Sequence, residues 1–143
     1  MVEKDETETG IRANLNFGHT LGHLIETHAG YGKYLHGEAV GLGMFFSAFV
    51  SWRFNALVED DWTRIKNYLS QILTPIKLPP FDQKLFREMI LHDKKSQKQS
   101  VNFIMLRKLG ESFIRKGTSV EMLWNNLKEF TEKFPEFVEI ERR

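Results

Sequence analysis

Fourteen residues without a charge, from Ala39 to Trp52 and closed by Arg53, constrain this chain more than any other stretch. The run is too short to cross a bilayer, which takes about 18–20 consecutive apolar residues, so it belongs inside a protein. Read as a helix from about Gly37 to Asn55, it is apolar on nearly every side, with Val40, Leu42, Met44, Phe45, Phe46, Phe49, Val50 and Trp52 distributed around it. Such a helix must be surrounded by others, and it is predicted to be the central one. Gly37, Gly41 and Gly43 each cost roughly 1 kcal/mol relative to alanine in a helix interior. Close approach of another backbone or of a ligand would offset that cost.

Around this core helix the periodicity predicts further helices. The first spans about Leu15 to His28, with Leu15, Leu21, Leu24 and Ile25 as its stripe and Gly30 as its stop. Another runs from about Asp60 to Leu73, carrying Trp62, Ile65, Leu69 and Ile72. Thr74-Pro-Ile-Lys-Leu-Pro-Pro forbids helix and reads as a rigid crossing. Asp82 is placed to cap a helix bearing Leu85, Phe86, Met89 and Ile90. Val101–Leu106 and Ser112–Lys116 flank Lys108-Leu-Gly-Glu, the pattern of a short hairpin. Thr118 and Glu121 have capping-box spacing ahead of a last helix with Val120, Leu123, Trp124, Leu127 and Phe130, and the tail beyond Pro135 receives no assignment. The expectation is one mainly helical domain, residues 1–143, with one short β-hairpin.

Composition removes several classes of function. A net charge of +1 offers no bulk attraction to nucleic acid or a membrane surface. The absence of cysteine restricts any metal site to imidazole and carboxylate. The acidic start, Met-Val-Glu-Lys-Asp-Glu, lacks the order of a signal peptide, so a cytoplasmic location is expected.

Beside the core helix the chain changes character. Residues 12–44 hold four of the five histidines, and three of them, His19, His23 and His36, are interleaved with Arg12, Asn16, Glu26, Glu38 and close-set glycines. On a helix, His19 and His23 project from one face a turn apart, and Glu26 follows on the same side. A histidine pair so spaced often presents imidazoles to zinc, and as often is two polar residues on a solvated face. Thr20 stands where a zinc protease of the His-Glu-x-x-His type keeps its general base, so peptidase chemistry is excluded. His36, at the start of the core helix, is either a cap or a partner for His19, if the two helices are antiparallel neighbours. Two imidazoles from separate elements would need one more protein ligand for an open catalytic site. Glu26 and Glu38 are local candidates, each equally able to orient an imidazole instead. Arg12 offers forked donors to phosphate or carboxylate. Lys94 and Lys95 suit a second phosphate clamp if their loop folds back. His28 and His92 are read as surface residues, and the large aromatics as core.

These segments resemble 3-dehydroquinate synthase. The resemblance rests on Gly10-Ile-Arg-Ala-Asn-Leu-Asn-Phe-Gly-His-Thr-Leu-Gly-His-Leu-Ile-Glu, Leu35-His-Gly-Glu-Ala-Val-Gly-Leu-Gly-Met and Asp93-Lys-Lys, with an acidic lead-in at Asp5-Glu-Thr-Glu-Thr-Gly. It covers residues 5–95 and extends more loosely over the last third. The resemblance implies the helical C-terminal domain of a two-domain enzyme whose N-terminal Rossmann-like domain holds most of the NAD. The family converts 3-deoxy-D-arabino-heptulosonate 7-phosphate to 3-dehydroquinate and phosphate, in the shikimate route to aromatic amino acids. NAD-dependent oxidation, phosphate elimination, re-reduction and an intramolecular aldol step follow one another.

By position, the resemblance implies His19 and His36 as ligands of Zn2+ or Co2+, and His23 as the histidine assisting proton transfer. Arg12, Asn16, Lys94 and Lys95 match phosphate- or substrate-binding positions, and Glu8 an acidic position lining the substrate site. The family's glycine-rich dinucleotide loops and third, glutamate metal ligand have no counterpart here. The expectation is therefore a fragment that needs the N-terminal NAD-binding domain as partner, is inactive alone, and belongs to a full-length enzyme for which a homodimer is allowed. A related sugar-phosphate cyclase of the 2-deoxy-scyllo-inosose synthase type is the sister reading. A non-catalytic helical interaction module and a stand-alone metallohydrolase are the readings from other classes.

Overall fold

The structure, a computed structural model, describes residues 19–30, 33–91 and 98–141. In chain order these form α1 (His19–Ala29), α2 (His36–Arg53), α3 (Glu59–Leu69), β1 (Ile76–Leu78), α4 (Gln83–Leu91), β2 (Ser100–Lys108), β3 (Glu111–Ser119), α5 (Val120–Lys133) and β4 (Val138–Ile140). The described residues are mainly helical, as expected. None of their helices is long and apolar enough to cross a membrane.

The uncharged run does become the central helix. Ala39, Leu42, Phe45, Phe46, Ala48, Phe49 and Val50 are all buried, and α1, α3, α5 and the β2–β3 pair pack around α2. Because apolar side chains cover the whole circumference, no direction around α2 is cheap to leave in water. Its aromatic rings gather on one side. Phe45 lies 5.6 Å from Trp62, stacked, and 5.3 Å from Phe130, edge-on. Phe49 meets Phe130 at 5.4 Å, and Trp52 stacks on Trp62 at 5.3 Å. Offset and edge-on pairs of this kind add to the burial of the rings themselves.

Two of the core-helix glycines have clear reasons to differ. A Cβ on Gly41 would meet Leu73 Cδ2 at 3.2 Å, whereas one on Gly37 would meet nothing within 4 Å. Gly30 ends α1 with φ +98°, the stop its position predicts. Asp82 caps α4 as expected, its Oδ1 accepting from the Leu85 N–H at 3.0 Å.

Elsewhere the structure corrects the sequence reading. The β2–β3 hairpin is not short: its strands are nine residues each and turn at Leu109-Gly110, with Gly110 at φ +83°. There is also a second sheet. Inside the proline-flanked crossing, β1 pairs in parallel with β4 in the unassigned tail, Ile76 opposite Val138 and Leu78 opposite Ile140. The cap of α5 is Ser119, whose Oγ accepts from the Met122 N–H at 3.2 Å; Thr118 is buried in β3 and donates to the Arg115 carbonyl at 2.8 Å. Helix α3 stops at Leu69, and Ile72 is exposed rather than part of its stripe.

Candidate functional site

Helix α1 turns Leu21, Leu24 and Ile25 to the core and leaves His23 exposed. Between these faces runs the line along which α1 meets α2. A Cβ on Gly22 would lie 3.2 Å from Val40 Cα and 3.3 Å from the Ala39 carbonyl oxygen, so any side chain here would press the α2 backbone back by a few tenths of an ångström. One turn further along α1, Glu26 Oε1 reaches His36 Nδ1 at 3.1 Å. Residue 22 against 39–40 and residue 26 against 36 make the two helices antiparallel neighbours. The short connection thus returns His36 to α1, at the level of Glu26.

The connection is itself tied down. Tyr34 Oη accepts from the Lys77 N–H at 2.9 Å and contacts the Lys77 carbonyl at 3.3 Å, linking the approach to α2 with β1. Then Glu38 Oε1 accepts from the Leu35 N–H at 2.8 Å, satisfying a donor ahead of the helix start. Two carboxylates that were interchangeable in the sequence therefore divide their work. Glu38 holds the start of the helix, and Glu26 holds the imidazole.

A carboxylate only accepts hydrogen bonds, so the Nδ1–H of His36 is the donor to Glu26. The neutral ring then carries its lone pair on Nε2. This is the arrangement in which protein imidazoles bind a metal ion, with a carboxylate behind the ligand. It fits a divalent cation of the imidazole-binding kind. His23 stands on α1 three residues before Glu26, on the adjacent turn of the same region.

His28 is not a surface residue. Its Nε2 lies 2.9 Å from the Pro79 carbonyl, and its ring packs edge-on to Phe81 at 4.9 Å, which makes it a structural link between α1 and the crossing. The backbone of His19 opens α1, seven residues or about 10 Å of helix axis before Glu26. Its side chain lies outside the described residues, as do Glu8, Arg12, Asn16, His92, Lys94 and Lys95. Among the described residues, no three histidine or acidic side chains are grouped to hold a metal.

A cavity of about 580 Å3 opens elsewhere, between α2, α3 and the hairpin, lined by Met44, Ile65, Leu69 and Leu106 with Arg64 and Tyr68. Among the described residues it is lined by no imidazole or carboxylate, and it shares none of them with the His36–Glu26 pair.

Comparison with known proteins gives the family of the chain. Residues 1–96 match the family described as 3-dehydroquinate synthase C-terminal. The chain is 44% identical over 110 residues to the 3-dehydroquinate synthase of Geobacter metallireducens, covering 77% of this chain and 31% of that one. It is 44% identical over 114 residues to that of Psychrobacter cryohalolentis, covering 80% and 31%. The chain thus spans about a third of the length of the curated relatives it matches. Among solved structures, 2-epi-5-epi-valiolone synthase from Streptomyces hygroscopicus subsp. jinggangensis, with NAD+ and Zn2+ bound, superposes with a TM-score of 0.61 at 21% identity, over 83% of this chain and 33% of that one. A 2-deoxy-scyllo-inosose synthase complexed with carbaglucose-6-phosphate, NAD+ and Co2+ gives 0.56 at 23%, over 77% and 34%. The glycine-spaced histidine helix, the Leu-His-Gly-Glu start of the central helix and the match over two thirds of the sequence converge: this chain belongs to the 3-dehydroquinate synthase C-terminal family.

Proposed function

We propose that this chain is the metal- and substrate-binding part of a 3-dehydroquinate synthase. The full reaction converts 3-deoxy-D-arabino-heptulosonate 7-phosphate to 3-dehydroquinate and phosphate, with an NAD-binding domain as partner. One observation supports this reading above the others: His36, at the buried helix's first residue, is held through Nδ1 by Glu26. That contact suits an imidazole meant to bind a cation. The curated relatives' shared name favours the heptulosonate phosphate over the substrates of sister cyclases. Solved neighbours with NAD+ and Zn2+ or Co2+ favour the same cofactors here.

In this reading His19 and His36 hold the metal, and the third protein ligand comes from the NAD-binding domain. When bound, the metal supplies Lewis-acid polarisation of the hydroxyl being oxidised and NAD supplies the hydride acceptor. His23, exposed beside the pair, takes and returns a proton at the substrate. Arg12, Asn16, Lys94 and Lys95 bind the phosphate and the sugar, and Glu8 lines the same pocket. Arg12 suits this role because its guanidinium binds phosphate oxygens through two parallel hydrogen bonds.

The test is reconstitution. The chain is combined with the NAD-binding domain, NAD and Zn2+, and phosphate release from the heptulosonate phosphate is measured. Release is expected only with both parts present, and His36→Ala should lower it at least a hundredfold. A folded, metal-loaded complex that releases no phosphate overturns the proposal in favour of a non-catalytic module. Release from a different sugar phosphate alone assigns the chain to a sister cyclase.

A further inference from the structure

We infer that Glu26 is the positioning residue for His36, setting which ring nitrogen faces the metal, and is not itself a ligand; this rests on the metal reading above. His36 begins its helix with a side chain 67% exposed, so burial alone does not fix its ring. Glu26 differs. Its side chain is only 17% exposed and sits along the α1–α2 line that Gly22 brings together. A carboxylate so enclosed has few orientations open to it, and its Oε1 lies 3.1 Å from Nδ1. Accepting that proton leaves Nε2 as the metal-binding nitrogen, and an imidazole ligand must present an unprotonated nitrogen. The other nearby carboxylate is already committed, because Glu38 caps the start of α2 through the Leu35 N–H. The acidic residue that follows the histidine pair is therefore placed behind the ligand rather than in front of it.

The experiment compares wild type, Glu26→Gln, Glu26→Ala and His36→Ala, each combined with the NAD-binding domain, by calorimetric titration with Zn2+. It adds the 15N shifts of the His36 ring in metal-free protein, with thermal unfolding as a control. The amide oxygen of Glu26→Gln can accept the same bond, so this variant should keep the Nδ1–H tautomer and bind Zn2+ within about threefold of wild type. Glu26→Ala should shift the ring toward the Nε2–H tautomer and weaken Zn2+ binding by about 10–100-fold, the usual effect of losing such a partner. Equal losses in Glu26→Gln and Glu26→Ala overturn the inference, since the carboxylate would then be a ligand. Unchanged binding in Glu26→Ala, with binding lost in His36→Ala, also overturns it while leaving the metal reading intact. Unchanged binding in His36→Ala removes the metal reading itself. Should Glu26→Ala fail to fold, the tautomer and affinity of Glu26→Gln still decide between positioning and ligation.

Discussion

Gly22 and Gly37 lie in adjacent helices on either side of one connection, yet their surroundings give the same mutation opposite signs. A methyl group at 22 would press on the α2 backbone at Val40 and Ala39, which cannot rotate away as a side chain can. Overpacking of this kind costs roughly 1–3 kcal/mol. The gain in helix propensity is at most about 1 kcal/mol, so Gly22→Ala should destabilise the chain. At 37 a Cβ would meet nothing within 4 Å. There the propensity term stands alone, and Gly37→Ala should stabilise by a few tenths to about 1 kcal/mol. Urea unfolding of the two variants checks this, and equal stabilisation by both would refute the claim that α1 rides on the α2 backbone. Sequence alone shows that glycines cluster here. Which of them lets two helices meet depends on register, and register depends on contacts between residues 22 and 40.

At the scale of elements, the attachment of the hairpin to the central helix rests on a buried hydroxyl. Ser51 Oγ donates to the Ser47 carbonyl at 2.7 Å and accepts from the Leu106 N–H at 2.9 Å. Ser51→Ala would leave that strand amide unpaired in a dry setting, a penalty of about 1–3 kcal/mol. The second tie from α2, Arg53 to Glu129 of α5 at 2.9 and 3.1 Å, lies at the surface, with side chains 33% and 43% exposed. Glu129→Ala should therefore cost no more than about 1 kcal/mol, and less in high salt. Denaturant unfolding should rank the serine well above the ion pair, and the reverse ranking would show that the hairpin docks by other means. The helices were legible because a 3.6-residue period repeats within each segment. The β1–β4 pair was not, since three residues of parallel strand find their partner some sixty residues later and prolines mask the first of them. His28 was misjudged for the same reason: Pro79 and Phe81, which engage it, are about fifty residues away. A carboxylate contact to His36, made by Glu26, was legible in residue type and spacing. The roles of Glu26 and Glu38 were not, because both lie near His36 in sequence and only the fold shows which one reaches the ring.

Across the whole molecule, α2 begins at His36, which meets Glu26 of α1, and runs on into the buried stretch Phe45–Ser51, so the site stands on a platform held by the core. The segment after α5 completes that enclosure. Phe134 packs on Phe45 at 4.8 Å and on Phe130 at 5.5 Å, Phe137 lies 6.0 Å from Phe45, and Val138 is buried where β4 pairs with β1. Burying a residue of this size stabilises by about 1.5–3 kcal/mol, and less where it remains partly exposed. Removing residues 134–143 should thus cost roughly 4–7 kcal/mol. For a domain of this size that lowers the melting temperature by about 10–25 °C. The loss should fall on the face of α2 formed by Phe45 and Phe49, reported by the fluorescence of Trp62, which is 6.2 Å from Phe134. The α1–α2 line is held by Gly22 against the α2 backbone, and it touches the removed segment indirectly, through Tyr34 on Lys77 of β1, the strand that pairs with β4. Below the lowered melting point, the 15N shifts of the His36 ring should therefore match those of the longer chain. A ring that loses its Nδ1–H tautomer in the shortened protein, while α1 and α2 remain helical by circular dichroism, would mean that the pair is held by the core as a whole and not by the two helices that carry it.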